Sequence, residues 1–171
     1  IAGNGFTLSV EAGEARLYER ADSRYLTNGS KRYPYSNIGI AFDRAIGNTK
    51  TSLGGSYVRE DETILGARFA QAIGRSGAQS FFVDATAQLD LDHNWTFGAS
   101  WRQGWTKPGK TATLRGGTLS SNAFSLDIGK VGVLGRQDRF GFRIAQPLRV
   151  GSGGLQLELP VAYDYATLGT T

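Results

Sequence analysis

The sequence predicts an all-β fold. The expected architecture is an antiparallel up-and-down meander of about nine to ten strands, part of a transmembrane β-barrel, forming a single domain over residues 1–171. Three observations carry this. Apolar and polar residues alternate with period two in segment after segment, which separates two faces of a strand and no helical stripe. Short turns alternate with long links for most of the chain, as in a meander with tight turns at one end. Two segments sustain the alternation for about eleven residues, where strands of ordinary soluble domains run about 5–6.

Taken in order, the first strand spans 6–12 (Phe6, Leu8, Val10), followed by a turn at Ala12-Gly13 and a further strand over 14–20. A long link over 21–34 leads to a strand at 38–42 (Ile38, Ile40, Phe42). A turn at Gly47-Asn48 leads to 51–57 (Thr51, Leu53, Gly55, Tyr57). The long link 59–78 contains ETILGARFAQAI (62–73). As a short helix it groups Ile64, Leu65, Phe69, Ala72 and Ile73, with Arg68 intruding; as a strand it groups Leu65, Ala67, Phe69 and Ile73. A structured loop or short helix is the expectation.

The clearest strands follow. At 81–91, Phe81, Val83, Ala85, Ala87, Leu89 and Leu91 oppose Asp84, Thr86, Gln88 and Asp90, with Phe82 the exception. After the turn Asp92-His93-Asn94, the strand 95–102 sets Trp95, Phe97, Ala99 and Trp101 against Thr96, Gly98, Ser100 and Arg102. A long link over 106–120 precedes 124–128 (Phe124, Leu126, Ile128), and a turn near Gly135-Arg136-Gln137 precedes 138–145 (Phe140, Phe142, Ile144). A short link, Val150-Gly151-Ser152-Gly153, breaks the alternation of link lengths before the last strand, 155–165. There Leu155, Leu157, Leu159, Val161, Tyr163 and Tyr165 oppose Gln156, Glu158, Pro160, Ala162 and Asp164. Pro147 and Pro160 are expected at bulges or edges, because proline cannot donate to a ladder.

Composition removes several chemistries. There is no Cys, hence no disulfide, thiolate metal site or cysteine nucleophile, and the single His93 excludes any site needing two histidines. Net charge is +4, but the cations are scattered rather than striped, so no nucleic acid is expected as a partner. No apolar run is long enough for a membrane helix, and Ile1 opens without a basic region or apolar stretch, so no signal peptide is expected. The missing Met is what a chain cut from a larger one would show.

Catalytic motifs are weighed and set aside, and no enzyme activity is expected of this chain. His93 reads as a turn residue, and no nucleophile segment accompanies it. Gly129-Lys130 lacks the glycine spacing of a phosphate loop. Asp90 and Asp92 lack the further ligands of a calcium loop. Asp84 and Asp90 lie on one face of one strand about 20 Å apart, too far to cooperate as a hydrolytic pair. Asn28-Gly29-Ser30 matches the glycosylation pattern only formally. No cofactor and no metal are expected.

Three designs give such alternation: a soluble sandwich, a barrel with its apolar face inward around a ligand, and a membrane barrel with its apolar face on lipid. Strand length, aromatics near strand ends (with Trp105 beside Trp95 and Trp101) and the two kinds of link favour the third. On that design Asp43, Lys50, Asp84, Asp90, Arg102, Asp127, Arg143, Glu158 and Asp164 face the lumen, most simply as ion pairs that solvate and lock the barrel. Phe81, Val83, Trp95, Phe97, Trp101, Phe140, Phe142, Leu155, Leu157, Tyr163 and Tyr165 face lipid or form its aromatic girdles. The competing reading is a soluble β-sandwich or barrel that binds a protein or carbohydrate partner, with Tyr57, Trp101 and Trp105 as stacking surface.

The stretch RQDRFGFRIAQPLRVGSGGLQLELPVAYDYATL (136–168) is more specific than these patterns. It resembles the C-terminal region of subtilisin-like autotransporter proteases of alphaproteobacteria, especially sphingomonads, which carry a segment of the form DRFGLRxxQPLRVxSGGLxLxLPVxYDYATG. ETILGARF (62–69) and NAFSLDIGK (122–130) are also similar to that region. The resemblance implies an outer-membrane barrel that anchors or exports an N-terminal protease, the barrel alone being matched here and no protease domain present. It implies the bacterial outer membrane as location. The implied partners are the lipid bilayer and a passenger or other subunits of an envelope complex. Barrels of that family continue past the YDYAT segment by several strands, which makes Thr171 the expected end of a fragment. An odd count of about nine strands does not close in the usual even-stranded way.

Overall fold

A computed structural model describes residues 4–18, 30–67, 76–135, 138–158, 163–164 and 169–170. Seven strands form one antiparallel sheet in sequence order: β1 (Asn4–Tyr18), β2 (Ser30–Ile46), β3 (Thr49–Glu60), β4 (Ala78–Leu91), β5 (Trp95–Pro108), β6 (Leu114–Val131) and β7 (Arg139–Leu157). Two two-residue strands, β8 (Tyr163–Asp164) and β9 (Gly169–Thr170), pair only with each other. The sheet strands run from 12 to 19 residues, far beyond the usual 5–6. The all-β antiparallel meander is therefore as the alternation predicts, with seven strands in one open sheet.

Several expected boundaries move, and each for a local reason. The turn at Ala12-Gly13 and the strand 14–20 are replaced by one strand, β1, which pairs without interruption to Ser30. Gly13 is there for packing: a Cβ on it would lie 2.9 Å from the Tyr35 ring opposite. The supposed link Val150–Gly153 lies inside β7, which accommodates its glycines through register shifts rather than a turn. Without that link, the connections run in the sequence order of a plain meander. The long link 106–120 shrinks to residues 109–113, because its flanks extend β5 and β6.

The expected strand 155–165 is not one element. Leu155 and Leu157 end β7, and Tyr163 and Asp164 belong to β8, outside the seven-stranded sheet. Leu159, Pro160, Val161, Ala162 and Tyr165 lie outside the described residues. Pro147 sits where two residues of β7, Pro147 and Leu148, oppose the single Ala123 of β6. This is a bulge on an edge strand, where the missing N–H costs no ladder bond.

Little of the sheet is buried. Among the described residues the buried apolar ones are Tyr33, Ile64, Ala78, Phe82 and Leu114. The accessible surface is 12663 Å², against about 8,200 Å² for a compact soluble protein of this mass. A small core lies at the end of the sheet that carries the β3–β4 link, where Ile64, Ala78 and Leu114 meet Leu119 and Leu155.

Candidate functional site

Antiparallel pairing fixes which side chains share a face. Phe6, Leu8 and Val10 of β1 stand opposite Phe42, Ile40 and Ile38 of β2. Phe42 stands beside Leu53, and Ile38 beside Tyr57, on β3. Leu53 and Tyr57 stand beside Ala85 and Phe81 of β4. Phe81, Ala85, Leu89 and Leu91 then meet Trp105, Trp101, Phe97 and Trp95 of β5. Trp101, Ala99 and Phe97 meet Phe124, Leu126 and Ile128 of β6. Leu126 and Ile128 meet Ile144 and Phe142 of β7, and Lys130 meets Phe140. A single apolar face thus crosses all seven strands, and most of its large side chains are exposed. Phe81, Val83, Trp95, Phe97, Trp101, Phe140 and Phe142 all lie on it, as the alternation predicts.

Aromatic residues mark two lines across this face. Tyr57, Phe81 and Trp105 lie side by side on β3, β4 and β5, with the Phe81 and Trp105 rings stacked at 6.3 Å. Near the opposite end Trp95 stacks on Phe97 at 6.4 Å, and the Lys130 ammonium lies 4.8 Å from the Trp95 ring centroid. Trp95 and Trp105 are separated by about 33 Å along the strand at 3.3 Å per residue.

Leu155 and Leu157 do not continue the face. Three register shifts between β6 and β7 carry the end of β7 out of step. Leu155 comes to pack against the Ile64, Ala78 and Leu114 cluster, and Leu157 stands opposite Leu114 in the last paired position. Tyr163 lies in the separate β8–β9 pair. The sequence pattern also gave no hint of a polar seam within the apolar face. Gln103 Nε2 donates to Ser120 Oγ at 2.8 Å, and Gln146 Nε2 donates to Asn122 Oδ1 at 2.6 Å. Each glutamine there finds a side-chain partner, which lowers the cost of placing it on such a surface.

The opposite face gathers seven of the nine charged candidates. Asp43, Lys50, Asp84, Asp90, Arg102, Asp127 and Arg143 share its parity in the ladder. Arg102 Nε donates to Asp84 Oδ1, and Arg143 Nε donates to Asp127 Oδ1. Lys50 Nζ lies 3.5 Å from Asp90, which also accepts from Gln88 Nε2 at 3.0 Å. Asp43 accepts from Thr7 Oγ1 at 3.3 Å. Six of the seven charges thus pair across or along the strands, with side chains partly exposed. Glu158 follows the end of β7 and accepts from Arg115 Nε, a bond that holds its carboxyl below the usual range. Asp164 belongs to β8, which is not a strand of the seven-stranded sheet.

Toward the long-link end this face turns dry. Phe82, the exception to the alternation, is only 6% exposed. Its ring lies over Gly104, where an added Cβ would sit 2.5 Å from it, and the Arg102 guanidinium carbon is 5.4 Å from its centroid. The pairing could have been found in the sequence, since an aromatic out of phase asks for a glycine on the neighbouring strand. Ser80 and Thr106 share a buried hydrogen bond of 2.8 Å beside it.

The link after β3 packs at the same end, where Ile64 joins Ala78 and Leu114. The Glu60 carboxylate accepts from Thr63 Oγ1 at 2.8 Å, Leu65 N at 2.8 Å and Gly66 N at 2.7 Å. Around it the backbone makes a two-residue turn, with Leu65 (φ 52) and Gly66 (φ 73) left-handed and Ile64 bonded to Ala67 in both directions. Residues 62–67 are therefore a tight turn rather than a helix, and residues 68–73 of the predicted segment lie outside the described ones.

At the other end, His93 (φ 62) and Asn94 (φ 60) sit in the tight β4–β5 turn predicted for them. In the β6–β7 link, Asp138 accepts from Leu134 N at 2.6 Å and Gly135 N at 3.1 Å. These backbone donors, Leu134 foremost, hold its carboxyl below the usual carboxylate range. Among the described residues no group of three or more His, Asp or Glu side chains is placed to hold a metal ion. No protein-family model, no curated protein and no solved structure matches the chain.

Proposed function

We propose that this chain is wall of a transmembrane β-barrel in a bacterial outer membrane. It serves as translocator or anchor of an autotransporter-like subtilisin-family protease and is non-catalytic itself. The observation that carries this reading is the apolar face: it crosses seven strands in register, and no second layer covers it among the described residues. A soluble sandwich would press those side chains on a facing sheet. Lipid does the same service for a barrel, while the ladder satisfies the backbone where no water is present.

The mechanism is physical. Acyl chains solvate one face, and the ion-paired face offers a polar path for a passenger chain. The edges β1 and β7 run in the same direction, because an even number of reversals separates them. Antiparallel closure therefore takes an odd number of further strands. The test is quenching of Trp95, Trp101 and Trp105 by brominated lipid in vesicles holding the chain. Strong quenching, together with heat-modifiable gel mobility, supports the reading. A monodisperse protein in plain buffer with unquenched tryptophans overturns it.

A further inference from the structure

The charges at the margins of the apolar face carry a second message. Within the strands, Glu11, Asp43, Glu60, Asp84, Asp90 and Asp127 all have the parity of the polar face. The apolar face instead ends in cations. At the long-link margin Arg59 and Lys107 flank Gln79 in one row, one alternation beyond Tyr57, Phe81 and Trp105. At the other margin Arg44 follows Phe42, and Lys130 lies over Trp95. Glu14 is the one carboxylate of that parity, further out along β1.

The long-link margin is also shaped. Arg59, Gln79, Lys107, Gly109 and Lys110 line a cleft of about 380 Å³. Its two carboxylates are both engaged: Asp61 lies 3.7 Å from Arg59, and Glu60 is held by its three donors in the link. Lys107 and Lys110 have no carboxylate partner among the described residues. Strands in the sheet are about 4.8 Å apart, so Arg59 and Lys107 span about 10 Å, wide enough for one phosphate between them.

We infer that this cleft binds the phosphate of an anionic phospholipid headgroup, whose acyl chains then lie along the aromatic row of Tyr57, Phe81 and Trp105. The inference rests on the membrane reading above. It adds to that reading a headgroup preference, which an uncharged apolar face would not have. Arg59 and Lys107 supply the charge, Gln79 an amide donor, and the rings fix the depth of the lipid.

The test compares the chain with a variant carrying Arg59→Gln, Lys107→Gln and Lys110→Gln. Both are placed in vesicles of phosphatidylcholine alone and of phosphatidylcholine mixed with phosphatidylglycerol, then extracted for native mass spectrometry. The expected result is retained phosphatidylglycerol on the parent chain, with preference falling about five-fold per cation removed. Tryptophan quenching by brominated phosphatidylcholine should be the same for both, which shows that the variant still inserts. Equal retention by parent and variant overturns the headgroup site while leaving the membrane reading intact. Absence of quenching in the parent overturns both. Displacement of the bound lipid by inorganic phosphate alone overturns the assignment to a lipid, since a site for free phosphate would show that. If the triple variant fails to insert, Lys107→Gln alone is measured, and unchanged retention by it also counts against the site.

Discussion

The two ends of the polar face follow opposite rules. Toward the tight turns it is open and charged, with Asp43, Lys50, Asp90, Asp127 and Arg143 among serines and threonines. Toward the long links it is drier, with Ser80, Phe82 and Thr106 buried, Leu119 packed against the cluster of Ile64, Ala78 and Leu114, and the buried Glu60 carboxylate held by its donors in the link. Both ends belong to the same strands and the same ladder. The difference comes from what packs there: the Phe82 ring over Gly104 within the sheet, and Ile64 of the β3–β4 link against Ala78 and Leu114.

That contrast can be broken most forcefully at Ile64. Ile64→Ala should cost about 3 kcal/mol, because a nearly inaccessible side chain leaves a cavity against Ala78 and Leu114. Urea unfolding in detergent micelles, followed by tryptophan fluorescence, measures it; a loss as small as that of a surface change would mean that the link does not pack at this end. Glu60→Gln comes next, at about 2 kcal/mol, because the amide keeps the shape but cannot accept from two backbone N–H groups as a carboxylate does. The same unfolding curve, with Glu60→Asp for comparison, reports it. Gly104→Ala should cost about 1–2 kcal/mol, since its Cβ meets the Phe82 ring and the Ser121 hydroxyl. Adding Phe82→Leu should recover part of that loss, and no recovery would separate the two positions.

At the open end the expected effects are smaller. Asp127→Asn should leave the unfolding midpoint where it is, because an exposed ion pair is well solvated whether made or broken. A shift as large as that of Gly104→Ala would erase the contrast between the two ends. The smallest effect is one of pH. Asp138 has a depressed carboxyl, so the order it lends to the β6–β7 link is present above the ordinary carboxylate range and lost as pH falls through its lowered value. The amide resonances of Leu134 and Gly135 should titrate together with a midpoint below about 3.9. A midpoint at or above that value would refute the cause given.

Most of the sheet is legible in the sequence because period two is a strong constraint once one face is uniformly apolar. Phe81 to Leu91 and Trp95 to Trp101 declare themselves, and their charged opposites follow by parity. Part of what escaped has its origin in glycine. Gly13 and Gly151 to Gly153 look like turns, yet one makes room for Tyr35 and the others sit in a strand whose register slips. The turn formed by residues 61–67 was hidden for another reason. Its stability comes from one carboxylate gripping its own downstream backbone, and such a local bond leaves no periodic trace.

The irregular pairing of β7 has a consequence for assembly. A smooth ribbon border accepts almost any extended peptide, and so invites fibrils. This border is kinked where Pro147 and Leu148 bunch against Ala123 and again near Gly151. Only a neighbour bent to match can zip along its full length, so the contour of the backbone itself selects who may join.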